Sequence, residues 1–177
     1  MTTFLQPRLV GKRFADHTLP LDLLKDFSAF EEMLLEIAKR QYLLDNPTRK
    51  KLPKGFGKNI SVSLAGIEEG SAILSLALTS YLATSSLLPP PEEKYLTEAK
   101  NIVIAAVAAA EADKDIPLDP VFLRYFDRFG RSLLADESIE FLNKKTPVVL
   151  NQATRKKLIE KSKAKTWTEN IVIKGYV

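Results

Sequence analysis

The clearest pattern along the chain is an alternation of apolar and polar positions. Between 60 and 64, Ile, Val and Leu alternate with two serines, which is typical of a half-buried β-strand. A second apolar run at 73–78 follows a polar stretch at 68–71 that is typical of a turn. Residues 59–81 are therefore predicted to form a β-hairpin with one buried face.

The first helix is predicted from apolar residues that recur at helical spacing. Ser28 and Glu31 have the spacing of a capping box, so the helix is predicted to begin at Ser28. It is predicted to end at Asn46-Pro47. Residues 11–24 surround Pro20, which favours extended geometry before it, and they are predicted to be extended.

The second helix is predicted after a linker, residues 82–91, that ends in three prolines. Glu92 and Glu93 fall in its first turn, where negative charge suits the helix dipole. Its apolar stripe, 96–110, is rich in alanine, which permits close approach of a neighbouring element.

Two further helices and three short strands complete the predicted elements. Asp119-Pro120 is an N-cap followed by proline, and it begins a helix with an aromatic face that extends to 133. Asn151 caps a last helix that ends near Lys163. The short strands are predicted at 138–142, 147–150 and 171–173. The predicted fold class is α+β: a mostly antiparallel sheet, which contains the hairpin, packed with about four helices.

The chain is predicted to form one α+β domain over 1–165, followed by a terminal strand over 166–177. The sequence stops at Gly175-Tyr176-Val177, inside an apolar strand pattern, whereas chain ends are commonly polar. The last strand is therefore expected either to dock in the sheet or to begin a further domain of a longer protein.

Composition excludes several classes of protein. The 177 residues are 45% hydrophobic and 27% charged, which is typical of a folded protein. With no cysteine and one histidine, thiol catalysis, disulfides and metal sites built on cysteine or on several histidines are excluded, and we expect no metal and no cofactor. Residues 70–91 are uncharged, but serines, threonines and prolines interrupt them, so no membrane association is expected. The lack of cysteine and of a signal peptide agrees with a cytoplasmic location.

Charge is unevenly placed along the chain. Residues 43–58 hold five basic and one acidic side chain, residues 59–142 hold six basic and thirteen acidic, and residues 143–177 hold nine basic and two acidic. This asymmetry favours an acidic partner or contact between the two kinds of segment. The candidate binding residues are Arg49, Lys50, Lys51, Lys54, Lys58, Arg155, Lys156, Lys157 and Lys161.

Three functions are compatible with these residues. The first hypothesis is a non-catalytic interaction or regulatory module, the N-terminal part of a larger protein, whose basic loop and tail dock on an acidic surface of a partner protein or of a second copy. The second is a nucleic-acid-binding domain that uses the basic segments 49–58 and 144–165, although Phe56 and Trp167 are the few aromatic residues near them. The third is an enzyme that uses His17 with nearby carboxylates.

Three segments resemble a family of uncharacterised bacterial proteins, found mainly in cyanobacteria. They are GKRFADHTLPLDLLKDF at 11–27, GIEEGSA at 66–72 and YFDRFGRSL at 125–133. The family has no known activity, so the resemblance implies no catalytic residues. A β-rich segment follows the position of Val177 in that family, which implies that this chain is the front part of a longer one.

Overall fold

The computed structural model describes residues 3–68, 72–81, 91–142 and 146–174, without the side chains of His17, Pro91 and 164–174. The part described contains a six-stranded antiparallel sheet and four α-helices, which confirms the predicted α+β class. The strands are β1 Thr3–Leu5, β2 Pro7–Val10, β3 Ile60–Glu68, β4 Ala72–Ser80, β5 Ser138–Phe141 and β6 Val148–Leu150. The helices are α1 Leu21–Asp45, α2 Pro91–Glu111, α3 Pro120–Leu123 and α4 Gln152–Lys174.

The predicted hairpin is confirmed and supplies one side of the sheet. β3 pairs with β4 from Ile60↔Ser80 to Glu68↔Ile73, with a bulge between Leu64 and Gly66. The turn between the two strands lies largely outside the described residues. The other edge of β4 pairs with β1 and, farther along, with β2. The two short strands thus lie end to end beside β4. The sheet continues from β2 to β5 and β6.

The helices pack on one face of this sheet. Leu74 and Leu76 of β4 are buried there together with Phe30 and Met33 of α1, and the ring of Phe141 stacks 6.3 Å from that of Phe30. The opposite face is polar, because the hydroxyls of β3 and β4 alternate with these apolar side chains. Amphipathic packing of this kind supplies most of the stability of α1, whose apolar residues recur along one side.

The start of α1 differs from the prediction. Residues 11–24 are not extended: a 3-10 helix spans Lys12–His17, and α1 begins at Leu21 with Pro20 as its N-cap residue. Ser28 therefore lies inside the helix, and the predicted capping box is wrong. Pro20 is compatible with this start because a proline just before the first turn lacks only an N–H that the helix would leave unpaired. The predicted end is confirmed, since Asn46 is the C-cap residue.

Three other predictions need correction: the length of the third helix, the end of the last helix near Lys163 and the strand at 171–173. The third helix is shorter than predicted, because α3 passes into a 3-10 turn at Arg124–Asp127 and then into turns around Gly130, whose φ is +82°. The predicted strand at 171–173 is wrong, because α4 continues to Lys174: no glycine or proline interrupts the chain between 152 and 174. The domain boundary at 165 stays a prediction.

The sequence pattern missed β1 and β2. Other predictions are confirmed. Helices begin at Asp119-Pro120 and at Asn151 as predicted, and the predicted strands are found near 138–142 and 147–150. The predicted linker at 82–91 lies outside the described residues up to 90. Among the residues described, no helix is long and apolar enough to cross a membrane.

Candidate functional site

The basic loop, residues 49–58, is folded and anchored. It follows α1, and its turns are closed by hydrogen bonds from Phe56 N to the Pro53 carbonyl and from Lys58 N to the Gly55 carbonyl, at 3.1 and 2.9 Å. Gly55 has a φ of +83°, which a residue with a side chain rarely adopts. Phe56 is buried, and its ring lies 5.4 Å from that of Tyr42 in α1. The loop therefore presents its side chains from a defined backbone.

All five cations of the basic loop face solvent. The exposed side chains are those of Arg49, Lys50, Lys51, Lys54 and Lys58. Within the described ranges, none of them takes part in an ion pair. Their charge is thus available to an external anion.

Arg155 of α4 has a structural role instead. Its guanidinium donates to the carbonyls of Phe126 and Asp127 at 2.7 and 2.8 Å, and to the side chain of Gln152 at 3.1 Å. Burial lowers the pKa of Arg155. These bonds hold the turn after α3 against α4, so Arg155 is engaged within the chain.

Lysines of α4 meet acidic residues at the end of α2. Lys157 Nζ lies 2.7 Å from Asp113 Oδ1 and 3.4 Å from the Ala110 carbonyl, where positive charge suits the C-terminus of a helix. Lys161 lies 4.0 Å from Asp115. Lys156 is 3.9 Å from Glu160, one turn along α4. Part of the acidic middle of the chain therefore faces the basic tail of the same molecule.

The structure does not bring the two basic segments together. The basic loop contacts α2 near its start, because Tyr42 packs on both Phe56 and Tyr95. α4 contacts α2 at the other end, through Lys157 and Ala110. Fifteen residues of helix separate Tyr95 from Ala110, which corresponds to about 22 Å. The described residues of the two segments therefore lie near opposite ends of α2 and do not form a single continuous interface.

Arg13, in the same 3-10 helix as His17, is the centre of a cluster of polar side chains. The Arg13 guanidinium forms two hydrogen bonds with Glu137, at 2.7 and 2.8 Å, and a third with the Ser132 carbonyl at 2.8 Å. It also lies 3.3 Å from Asp22. The Arg13 hydrogen bonds lower the pKa of the buried Glu137, despite the opposing effect of desolvation. Asp22 is thus a partner of Arg13, and the His17 side chain lies outside the described residues.

Asp26 is a buried acid next to this cluster. Its Oδ2 accepts from Ser132 N at 2.9 Å and from Ser132 Oγ at 2.8 Å. Desolvation raises the pKa of Asp26, and the Ser132 hydrogen bonds oppose that rise. Asp26 lines a cleft of about 570 Å³. The other lining residues are Asp22, Lys25, Ser28, Arg128, Arg131 and Ser132.

The described residues of this cleft carry charges of both signs but do not assemble a catalytic set. Arg128 is held by Glu32 through hydrogen bonds of 3.2 and 2.6 Å. The Thr18 hydroxyl donates to the carbonyls of Arg13 and Ala15. No group of three or more potential metal-ligating side chains occurs in the described part of the chain.

Sequence reasoning missed Arg13, Asp26 and Glu137. Arg13 and Glu137 are 124 positions apart, so no local sequence pattern predicts their contact. Two of the resembling segments, 11–27 and 125–133, supply most of this cluster and meet there. At the tip of the hairpin, the Glu68 carboxylate accepts hydrogen bonds from the side chains of Gln6 and Ser75, the latter at 3.2 Å. Glu69 lies outside the described residues.

Comparison with known proteins gives no relative. The chain has no significant match among protein-family models, curated proteins or solved structures.

Proposed function

We propose that this protein is a non-catalytic interaction module that binds an acidic surface of a partner protein through the basic loop, residues 49–58. The observation that carries the proposal is the set of five exposed cations on an anchored loop, with no ion pair to the described residues. A loop whose backbone is already ordered loses little conformational entropy on binding.

Two exposed apolar side chains flank the loop. Leu44, in the last turn of α1, is 62% exposed, and Tyr81 is 65% exposed. Tyr81 N donates to the Asn59 carbonyl at 2.7 Å, which places this residue next to the end of the loop. An exposed tyrosine next to polar surface is typical of a protein interface, in which aromatic residues are enriched and the rim is polar.

A protein partner is favoured over a nucleic acid by the position of Phe56. Its ring is buried against Tyr42, so it is not available to stack on a base. Lysine also outnumbers arginine in the loop by four to one, whereas arginine is the residue that reads bases and phosphates in a bidentate way.

The test compares two charge-reversal variants of equal net charge. The loop variant combines Lys50→Glu, Lys51→Glu and Lys54→Glu, and the control combines Lys12→Glu, Lys114→Glu and Lys163→Glu, all at exposed positions. Fluorescence anisotropy measures binding of a labelled peptide of alternating Glu and Tyr at low and physiological ionic strength. We expect the loop variant to bind at least about tenfold more weakly and the control to bind within about twofold of the unmodified protein.

Labelled single-stranded DNA and RNA are titrated in the same way. If the unmodified protein binds either nucleic acid more tightly than the acidic peptide, and the loop variant loses that binding, the nucleic-acid hypothesis is supported instead. Sedimentation at low and high salt examines whether a second copy is the acidic partner; a salt-sensitive dimer that the loop variant abolishes would identify it. Equal loss in the control variant, or no binding by the unmodified protein to any probe or to itself, would contradict the proposal.

A further inference from the structure

A groove between α2 and β1 forms a second surface, which is lined by apolar as well as polar side chains, unlike the cationic basic loop. Its volume is about 590 Å³, which is within the range of sites for small molecules. The apolar part of its lining comes from Ile104, Ala105 and Ala108 of α2, with Leu142 just after β5 and Val148 at the start of β6. The polar part includes Thr3, Gln6, Lys100 and Asn101.

The groove lies beside the edge of β1 that faces away from β4. Thr3 and Leu5 pair with β4, whereas β5 pairs with β2 and reaches no farther than Pro7↔Phe141. In the described part of the chain no strand pairs with the second edge of β1, and the small alanine side chains of α2 do not fill the space beside it. A gap of this kind exposes backbone polar groups that need partners.

Lys100 reaches into this gap from α2. Its Nζ donates to the Phe4 carbonyl at 2.7 Å and lies 4.6 Å from the centre of the Phe4 ring. No carboxylate of the described residues lies within ion-pair distance of it. Desolvation lowers the pKa of Lys100, because its ammonium group is partly buried.

The neighbouring sequence does not supply a counter-ion. Residues 1–2 and 143–145, which adjoin the groove along the chain, contain no acidic side chain. An ammonium group has three donors, and one of those of Lys100 is used by Phe4. A partly desolvated cation with free donors beside an apolar trough is complementary to a molecule with one anionic end and one apolar body.

We propose that the groove binds a small amphiphilic carboxylate, whose carboxylate pairs with Lys100 and whose hydrocarbon chain lies along Ile104, Ala105 and Leu142. Asn101 offers amide donors to the same carboxylate, whereas the Gln6 amide already donates to Glu68 and Ser75. This binding activity goes beyond the proposed interaction module and uses none of the residues of the basic loop.

The experiment is calorimetric titration with octanoate, below its critical micelle concentration, and with octanol as the uncharged analogue. We expect octanoate to bind saturably, more tightly than octanol, and with a negative heat-capacity change. Lys100→Gln keeps a donor for the Phe4 carbonyl but removes the charge. It should weaken octanoate about tenfold or more and leave octanol nearly unchanged.

Two further variants separate charge from shape. Lys100→Arg retains the cation and should recover most of the octanoate affinity. Ala105→Phe fills the groove at an exposed position and should abolish binding of both ligands. The proposal is overturned if the unmodified protein does not bind octanoate, if octanol binds equally well, or if Lys100→Gln weakens both ligands to the same extent.

Discussion

Arg13 joins parts of the chain that lie far apart in sequence. It connects the 3-10 helix before α1 to Glu137, just before β5, through two parallel hydrogen bonds. The Glu137 side chain is 1% exposed, so its charge depends on this partner. Gly11 permits the close approach, since a Cβ there would lie 2.5 Å from Glu137 Cγ.

Replacing Glu137 by glutamine tests the pair. The change leaves the partly buried Arg13 with only the exposed Asp22, 3.3 Å away, as a counter-charge, and removing one member of a buried pair is strongly destabilising. We expect Glu137→Gln to lower the free energy of unfolding by about 2–4 kcal/mol, measured by urea denaturation.

The matched control is Glu32→Gln in the exposed pair with Arg128. Both side chains of that pair are about half exposed, at 49% and 52%, and exposed pairs contribute little. We expect a loss below about 1 kcal/mol. Equal losses for Glu32→Gln and Glu137→Gln would show that burial of Glu137 does not strengthen the pair.

Asp26 makes stability depend on pH in a direction opposite to Glu137. Its raised pKa means that the folded protein holds the Asp26 proton more tightly than the unfolded chain does. The corresponding stabilisation is complete below the ordinary aspartate pKa and is lost as pH rises through the raised value. For Glu137, whose pKa is lowered, stabilisation is present above its ordinary pKa of 4.5 and is lost as pH falls through the lowered value.

Asp26→Asn separates these two effects. Asparagine imitates the protonated acid, and its carbonyl oxygen can accept both Ser132 hydrogen bonds. We expect the variant to gain stability relative to the unmodified protein as pH is raised from about 4 to 7. Urea denaturation across that pH range provides the measurement, and a difference that does not change with pH would contradict the assignment.

At the scale of elements, α4 depends on its N-cap. Asn151 Oδ1 accepts from Thr154 N at 2.9 Å and from Thr154 Oγ1 at 3.2 Å. Asn151→Ala removes this acceptor and should cost about 1 kcal/mol in the free energy of unfolding. Asn151→Asp keeps an acceptor in the same place and should stay within about 0.5 kcal/mol of the unmodified protein. Equal losses for both variants would indicate that packing around Asn151, rather than capping, matters.

The elements that sequence patterns predicted are those with local signals. The hairpin was predicted from its alternation, and the starts of α3 and α4 from Asp119 and Asn151. β1 and β2 lack such a signal, because Pro7 and Gln6 interrupt a short segment whose strand geometry depends on β4 and β5. The predicted strand at 171–173 failed because local β propensity is weaker than the continuation of a helix without a breaker.

The candidate site was predicted in part. The exposed cations of the basic loop could be identified from composition, but the pairing of Lys157 with Asp113 depends on how α4 crosses the end of α2. Lys100 could not be singled out either, since its environment is created by a gap beside β1. Contacts between segments that are far apart in the chain produce no local pattern from which a single sequence could predict them.

For the whole molecule, the order of the sheet predicts a gradient of stability. β4 is paired on both edges, with β3 on one side and β1 and β2 on the other, whereas β3 is an edge strand. One outward-facing amide of β3, that of Val62, is covered by Glu31 at 2.7 Å. We expect amide protons of β4 to exchange at least about tenfold more slowly than the other outward-facing amides of β3 in native-state hydrogen exchange. Uniform exchange across the two strands would contradict this order.

The position of β2 between β4 and β5 has a consequence for synthesis. Residues 7–10 leave the ribosome well before their hydrogen-bonding partners at 72–73 and 138–141. The hairpin and α1 have local partners and can form while translation proceeds, but β2 must wait for both neighbours. Order of synthesis and order of assembly therefore differ for β2, which remains an unpaired strand of the nascent chain until the sheet can enclose it.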